Sequence, residues 1–152
     1  MKILLIRFEK ETLHYIFLDS IDNLNFKINN LSMDGANSDG EKYFRLLQEL
    51  NLLNSTYNPD LIVYHSSLKT QRGLDELRYS NEAFLKYFGF TQKINILEVN
   101  KVLCRQKLKI KMNIFNDNFN LIREELLDKK IIAKTNIMLD GLTLLLLIKN
   151  II

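Results

Sequence analysis

A lone carboxylate, Asp140, interrupts an apolar stretch that runs from Ile137 through Leu142 to Ile148. A carboxylate among apolar neighbours is costly unless it is paired, so Asp140 requires a cationic partner, either a basic side chain or a metal ion. His65 ends the apolar run Leu61-Ile62-Val63-Tyr64. A histidine there can ligate a metal or act as a base, or it can serve as a hydrogen-bonded structural residue. The densest basic cluster is Lys101, Arg105, Lys107, Lys109 and Lys111, with Leu108 and Ile110 interleaved. Such a segment is either a phosphate-contacting ridge with salt-sensitive binding or the solvated face of an amphipathic element. Lys69, Arg72 and Arg78 extend the same basic surface.

Composition narrows the chemistry further. The 152 residues carry a formal charge of +3, with 47% hydrophobic and 26% charged residues. That is enough apolar material for a core, in a single domain spanning residues 1–152. It is only mildly basic, which permits a nucleic-acid partner without spreading a basic footprint over the whole chain. The single cysteine, Cys104, excludes an internal disulfide and a cysteine-based zinc site. With two histidines, His14 and His65, a His-rich metal cage is excluded as well. The loop Asp34–Gly40 is rich in Asp and Gly, but its spacing does not fit an EF-hand. The opening residues read as a strand and not as a signal peptide. The apolar stretch from Leu142 to Ile152 is too short for a bilayer, which takes about 20 residues, so a cytoplasmic protein is expected.

The elements that would position these residues follow from periodicity. Ile3-Leu4-Leu5-Ile6 is a continuous apolar run, as expected of a strand buried on both faces. After the polar turn Glu9–Thr12, Leu13–Leu18 reads as a second strand. Asp22-Asn23 turns the chain into a third, Phe26–Met33, completing an antiparallel meander. Ser38 or Asp39 is a natural N-cap for a helix whose stripe is Tyr43, Phe44, Leu46, Leu47, Leu50 and Leu53. Asn58-Pro59-Asp60 ends that helix and launches the strand Leu61–His65. Leu74–Phe88 is amphipathic, with Leu74, Leu77, Phe84, Leu85 and Phe88 inward, Tyr87 assigned to the same stripe and Gly89 as its cap. Ile94–Val99 is a strand, and Phe115–Leu127 and Ile137–Lys149 are helices. Strands alternating with helices imply parallel pairing.

This order resembles the ribonuclease H-like fold, and four segments resemble its RuvC-type Holliday-junction resolvase branch. They are the opening ILLIRF, the run Asn58–His65, the run Glu98-Val99-Asn100-Lys101-Val102, and Leu139-Asp140-Gly141-Leu142. The resemblance implies an α/β fold with a mixed five-stranded sheet, three antiparallel strands followed by parallel ones, flanked by helices. It also implies where carboxylates should hold two divalent cations that activate water. Arg7 stands at the first of those places, His65 at the second and Ile137 at the third. Only Asp140 is kept. A guanidinium in place of a bridging carboxylate repels hard cations.

The resemblance therefore implies an ion pair between Arg7 and Asp140, or else an Arg7 that contacts phosphate in the cleft. The leading expectation is a catalytically degenerate protein that binds DNA, branched DNA included, through Arg7 and the Lys101–Lys111 segment. It requires no cofactor and no membrane. The alternative is a structure-specific endonuclease using Mg²⁺ or Mn²⁺ with Asp140, Glu9 and His65, where Glu9 reaches in from a turn. A third reading is a protein-binding scaffold. The apolar face Leu142, Leu145 and Leu146 is core, and any excess would serve a homodimer.

Overall fold

Seven successive residues of the first strand show why the fold closes around it. In a computed structural model, which describes residues 1–9, 11–22, 24, 26–66 and 76–152, β1 (Ile3–Glu9) is the middle strand of a five-stranded sheet. The sheet order is β3-β2-β1-β4-β5, with β2 at Thr12–Leu18, β3 at Phe26–Ser32, β4 at Leu61–His65 and β5 at Asn95–Val99. β1 pairs antiparallel with β2 and β2 with β3, whereas β1–β4 and β4–β5 are parallel. The expected mixed sheet is thus present. Lys10, Asn23, Lys69, Arg72 and Leu74 lie outside the described residues, as does the side chain of Leu77.

Side chains alternate across the pleat, so β1 feeds two cores. Ile3 and Leu5 join Ile16, Leu18, Leu61, Val63 and Val99 beneath α3 (Lys101–Leu108), α4 (Met112–Asp128) and α5 (Leu139–Leu147). Leu4, Ile6 and Phe8 join Ile62 and Tyr64 beneath α1 (Asp39–Tyr57) and α2 (Glu76–Gln92). Each fully buried Leu, Ile or Phe contributes about 1.5–3 kcal/mol. A helix covers each face of the sheet, so the continuous apolar run in β1 is what its position demands.

Local chemistry sets the element ends. The Ser38 hydroxyl accepts from the Glu41 backbone N–H at 3.2 Å and starts α1. Asn58, with φ of 45°, ends it in the left-handed region, and Pro59 follows. The Asn100 side chain accepts from Leu103 N–H at 2.9 Å and caps α3.

Some residues lie elsewhere than their spacing suggests. Gly89 is not a cap: α2 runs on to Gln92, and a Cβ at Gly89 would lie 2.3 Å from Ile96 Cγ1. The glycine lets the helix approach β5. Phe44 and Tyr87, assigned to inward stripes, are 58% and 63% exposed. Each sits two residues, about 200° of helix turn, from a buried neighbour (Leu46 and Leu85), so it points outward. Leu47 is also partly exposed, because the row that α1 buries is Lys42, Leu46, Leu50 and Leu53. On α5, Leu142 and Leu145 are buried in the core, and Leu146 is half-buried, so that face is taken up by the sheet. Among the described residues, no helix is long and apolar enough to cross a membrane.

Candidate nucleic-acid-binding cleft

Arg7 follows directly on the apolar run of β1 and shares the face of Ile3 and Leu5, so its side chain enters on the α5 side of the sheet. The parallel register sets Ile6 beside Tyr64, which brings the next residues, Arg7 and His65, together at the carboxyl ends of β1 and β4. Arg7 Nη1 donates to His65 Nδ1 at 2.9 Å and to the Ile137 carbonyl at 3.4 Å. A guanidinium has donors only, so Nδ1 must be the bare nitrogen and the imidazole proton sits on Nε2. Gly141 of α5 lies against the ring: a Cβ there would be 3.3 Å from His65 Cβ and 3.4 Å from Nδ1.

The electrostatics are those of crowded cations. Burial, followed by the positive charges of Arg7 and Arg78, pushes the His65 pKa down to about 3, so the ring is neutral. Burial and Arg78 also hold Arg7 below its ordinary value. Arg78 on α2 donates from Nη2 to the His65 carbonyl at 3.1 Å and pairs through Nε with Glu82 at 3.2 Å. Arg7 Nε is buried without a hydrogen-bond partner among the described residues.

The expected ion pair between Arg7 and Asp140 is not formed. Asp140 Oδ1 instead accepts from Arg123 Nε of α4 at 3.2 Å. The reason is helical geometry. Gly141 faces His65, and Asp140, about 100° away on the first turn of α5, is directed to α4. Arg123 was not singled out by its sequence context, an ordinary amphipathic stretch. Glu9 is exposed and lies 3.7 Å from His14 Nε2, across the β1–β2 pair from the cleft residue His65.

The basic segment is divided by the fold. Lys101 opens α3 beside the cleft, where Ser66 N–H donates to the Val99 carbonyl and Asn100 Nδ2 to Ser66 Oγ at 2.9 Å. Its Nζ lies 4.3 Å from the centre of the Phe119 ring, a cation–π contact. Arg105 follows one turn later, with its Nε buried and unpartnered among the described residues. Lys107 is exposed on the far side of α3 from Arg105, Lys109 ends the helix with φ of 54°, and Lys111 is the N-cap of α4. Lys101 and Arg105 therefore share one face, and the three lysines form a separate, exposed group.

The donor set does not suit a divalent cation. Glu9, His65 and Asp140 are each engaged with a different neighbour, and a guanidinium stands between the strand ends. Among the described residues, no three His, Cys, Asp or Glu side chains gather as a metal site would need. A cleft of about 210 Å³ lined by Ile21, Asp22, Leu126, Ile131, Leu146 and Lys149 lies at the opposite end of the sheet.

No family model matches this sequence, and no curated protein matches it. Solved structures do share its fold. RuvC from Thermus thermophilus superposes with a TM-score of 0.66 at 11% identity, over 97% of this chain and 92% of its own. T. thermophilus RuvC in complex with a Holliday junction substrate gives 0.61 at 12% identity, over 97% and 91%. The yeast mitochondrial Holliday junction resolvase Ydc2 gives 0.52 at 15% identity, over 88% and 64%. The fold is therefore the ribonuclease H-like fold in its RuvC form, as the order of elements led us to expect.

Proposed function

We propose that this chain binds DNA, with a preference for branched DNA, and does not cleave it. One observation carries this reading: Arg7, at the carboxyl ends of the parallel strands, is hydrogen-bonded to a neutral imidazole and a carbonyl, while the nearby acids are engaged elsewhere. In open α/β sheets, ligands enter at those strand ends. Three cations within electrostatic reach of His65 (Arg7, Arg78 and Lys101) favour phosphate oxygens over a metal ion. The shared fold of a RuvC solved on a Holliday junction makes branched DNA the first substrate to try. Exposed Lys107, Lys109 and Lys111 supply further backbone contacts outside the cleft.

The test is fluorescence anisotropy on a four-way junction and a matched duplex across a salt series, with a parallel cleavage gel in Mg²⁺ and Mn²⁺. Preferential, salt-sensitive binding to the junction without cleavage is expected. Replacing Lys107, Lys109 and Lys111 with Gln should weaken binding and lower the salt slope by up to about 3, each phosphate contact contributing about 0.9. Metal-dependent cleavage abolished by Asp140→Asn would replace this reading with the endonuclease one. No DNA affinity at low salt would sink both and direct the search to protein partners.

A further inference from the structure

A half-buried guanidinium normally has its counter-ion in the fold. Among the described residues, Arg7 forms no ion pair. Its protein partners are both neutral, the bare nitrogen of His65 and the Ile137 carbonyl. The carboxylates within electrostatic reach of it are Glu9, Asp140 and Glu82. Asp140 and Glu82 already pair with Arg123 and Arg78, and Glu9, exposed at the end of β1, lies beside the His14 imidazole, whose pKa burial lowers.

The unused donors lie on the same two side chains. Arg7 Nη2 has no protein partner among the described residues, and Nε is shut off from solvent, so a ligand would reach the guanidinium at its Nη groups. The tautomer forced on His65 leaves Nε2 carrying a proton, with no protein acceptor for it among the described residues. Arg78 and Lys101 lie near enough to depress the ring's basicity, against the opposing carboxylate of Asp140.

We propose that Arg7, with His65 and Arg78 beside it, forms a metal-independent oxyanion site whose ligand, a phosphate group, meets the guanidinium that no described carboxylate pairs with. Phosphate suits the cleft better than a carboxylate. The guanidinium fork offers parallel N–H donors, and several cations facing one cleft favour an anion with more than two acceptor oxygens. The site deepens the DNA reading at the same cleft and rests on it only for the source of the phosphate, either the nucleic-acid backbone or a free phosphate. Because the ligand binds the folded state alone, it must raise stability.

The experiment is thermal melting of the full chain in EDTA, with inorganic phosphate compared against chloride at matched ionic strength. Phosphate should raise Tm by about 5–10 °C at a hundred times its Kd. The rise should survive EDTA and be absent in Arg7→Gln. In chloride, Arg7→Gln should melt no lower than the unmodified chain, because it removes a half-buried charge that forms no ion pair among the described residues. Arg7→Lys keeps the charge without the fork and should weaken the response; a response undiminished in that variant would overturn the site even if Arg7→Gln failed to fold. No phosphate response in the unmodified chain, or Arg7→Gln melting lower with its response intact, would also overturn it. Junction DNA that competes with phosphate would identify the ligand as backbone phosphate. A response that DNA leaves untouched would identify free phosphate. Loss of DNA affinity with the phosphate response retained would remove the DNA reading alone.

Discussion

Two arginines enter the same side of the sheet and meet opposite fates. Arg123 reaches a carboxylate, Asp140 Oδ1, at 3.2 Å, and an ion pair between α4 and α5 results. Arg7 reaches an imidazole nitrogen at 2.9 Å and, among the described residues, forms no ion pair at the ends of β1 and β4. The residue type is the same and both side chains are half-buried, so neither identity nor burial separates a structural cation from one poised for a ligand. What separates them is whether a described carboxylate meets the guanidinium.

The largest way to break the contrast is to charge the imidazole. His65 is held at a pKa of about 3 against an ordinary 6.5, so the unfolded chain takes up a proton that the folded chain refuses as pH falls below 6.5. Stability should be complete above pH 6.5 and fall by about 2 kcal/mol between pH 6.5 and 5. The charges facing the ring are Arg7 on β1, Arg78 on α2, Lys101 on α3 and Asp140 on α5. Urea denaturation across pH should show this slope in the unmodified chain and lose one proton's worth of it in His65→Gln.

The next effect bears on affinity. Arg7→Gln should weaken junction binding about tenfold, or about 1.4 kcal/mol, in an anisotropy titration. Arg123→Gln, whose charge is already answered by Asp140, should leave affinity within about twofold. Equal losses in both variants would erase the distinction. Asp140→Asn converts Arg123 into a second cation that no described carboxylate pairs with. Because the carboxylate is 44% exposed, the cost should be about 1 kcal/mol, a fall in Tm of about 2–4 °C. The smallest effect is expected from Gly141→Ala. Its Cβ would lie 3.3 Å from His65 Cβ, costing under about 1 kcal/mol and shifting the imidazole nitrogen resonances in ¹⁵N NMR.

The sheet was legible because its signals are local. The unbroken apolar run Ile3–Ile6 announces a strand covered on both faces, and Ser38 and Pro59 bracket α1 by short-range chemistry. Arg7, His65 and Asp140 were legible as unusual residues, but their partners were not. The hydrogen bond between Arg7 and His65 depends on the register of two strands 58 residues apart. Arg123 meets Asp140 only because Gly141, and not Asp140, is the residue of α5 that packs on His65. Helical spacing placed Phe44 and Tyr87 inward because it gives the width of a stripe without saying how much of it the sheet covers. Gly89 carried a cap's composition and a packing role, and only the approach of Ile96 distinguishes them.

The position of β1 also has a consequence for assembly. Its antiparallel side is filled by the next strand in the chain, a short-range closure, whereas its parallel side waits for Leu61 to reach Ile3 across most of the first half of the sequence. Closing the longer loop comes at greater entropic cost, so the meander should form before β4 docks. Until it docks, Arg7 has no imidazole to lean on, and the chain has a guanidinium but no cradle. The cleft comes into being only with the completed sheet, so a partly folded chain would be blind to the anion that the finished one recognises.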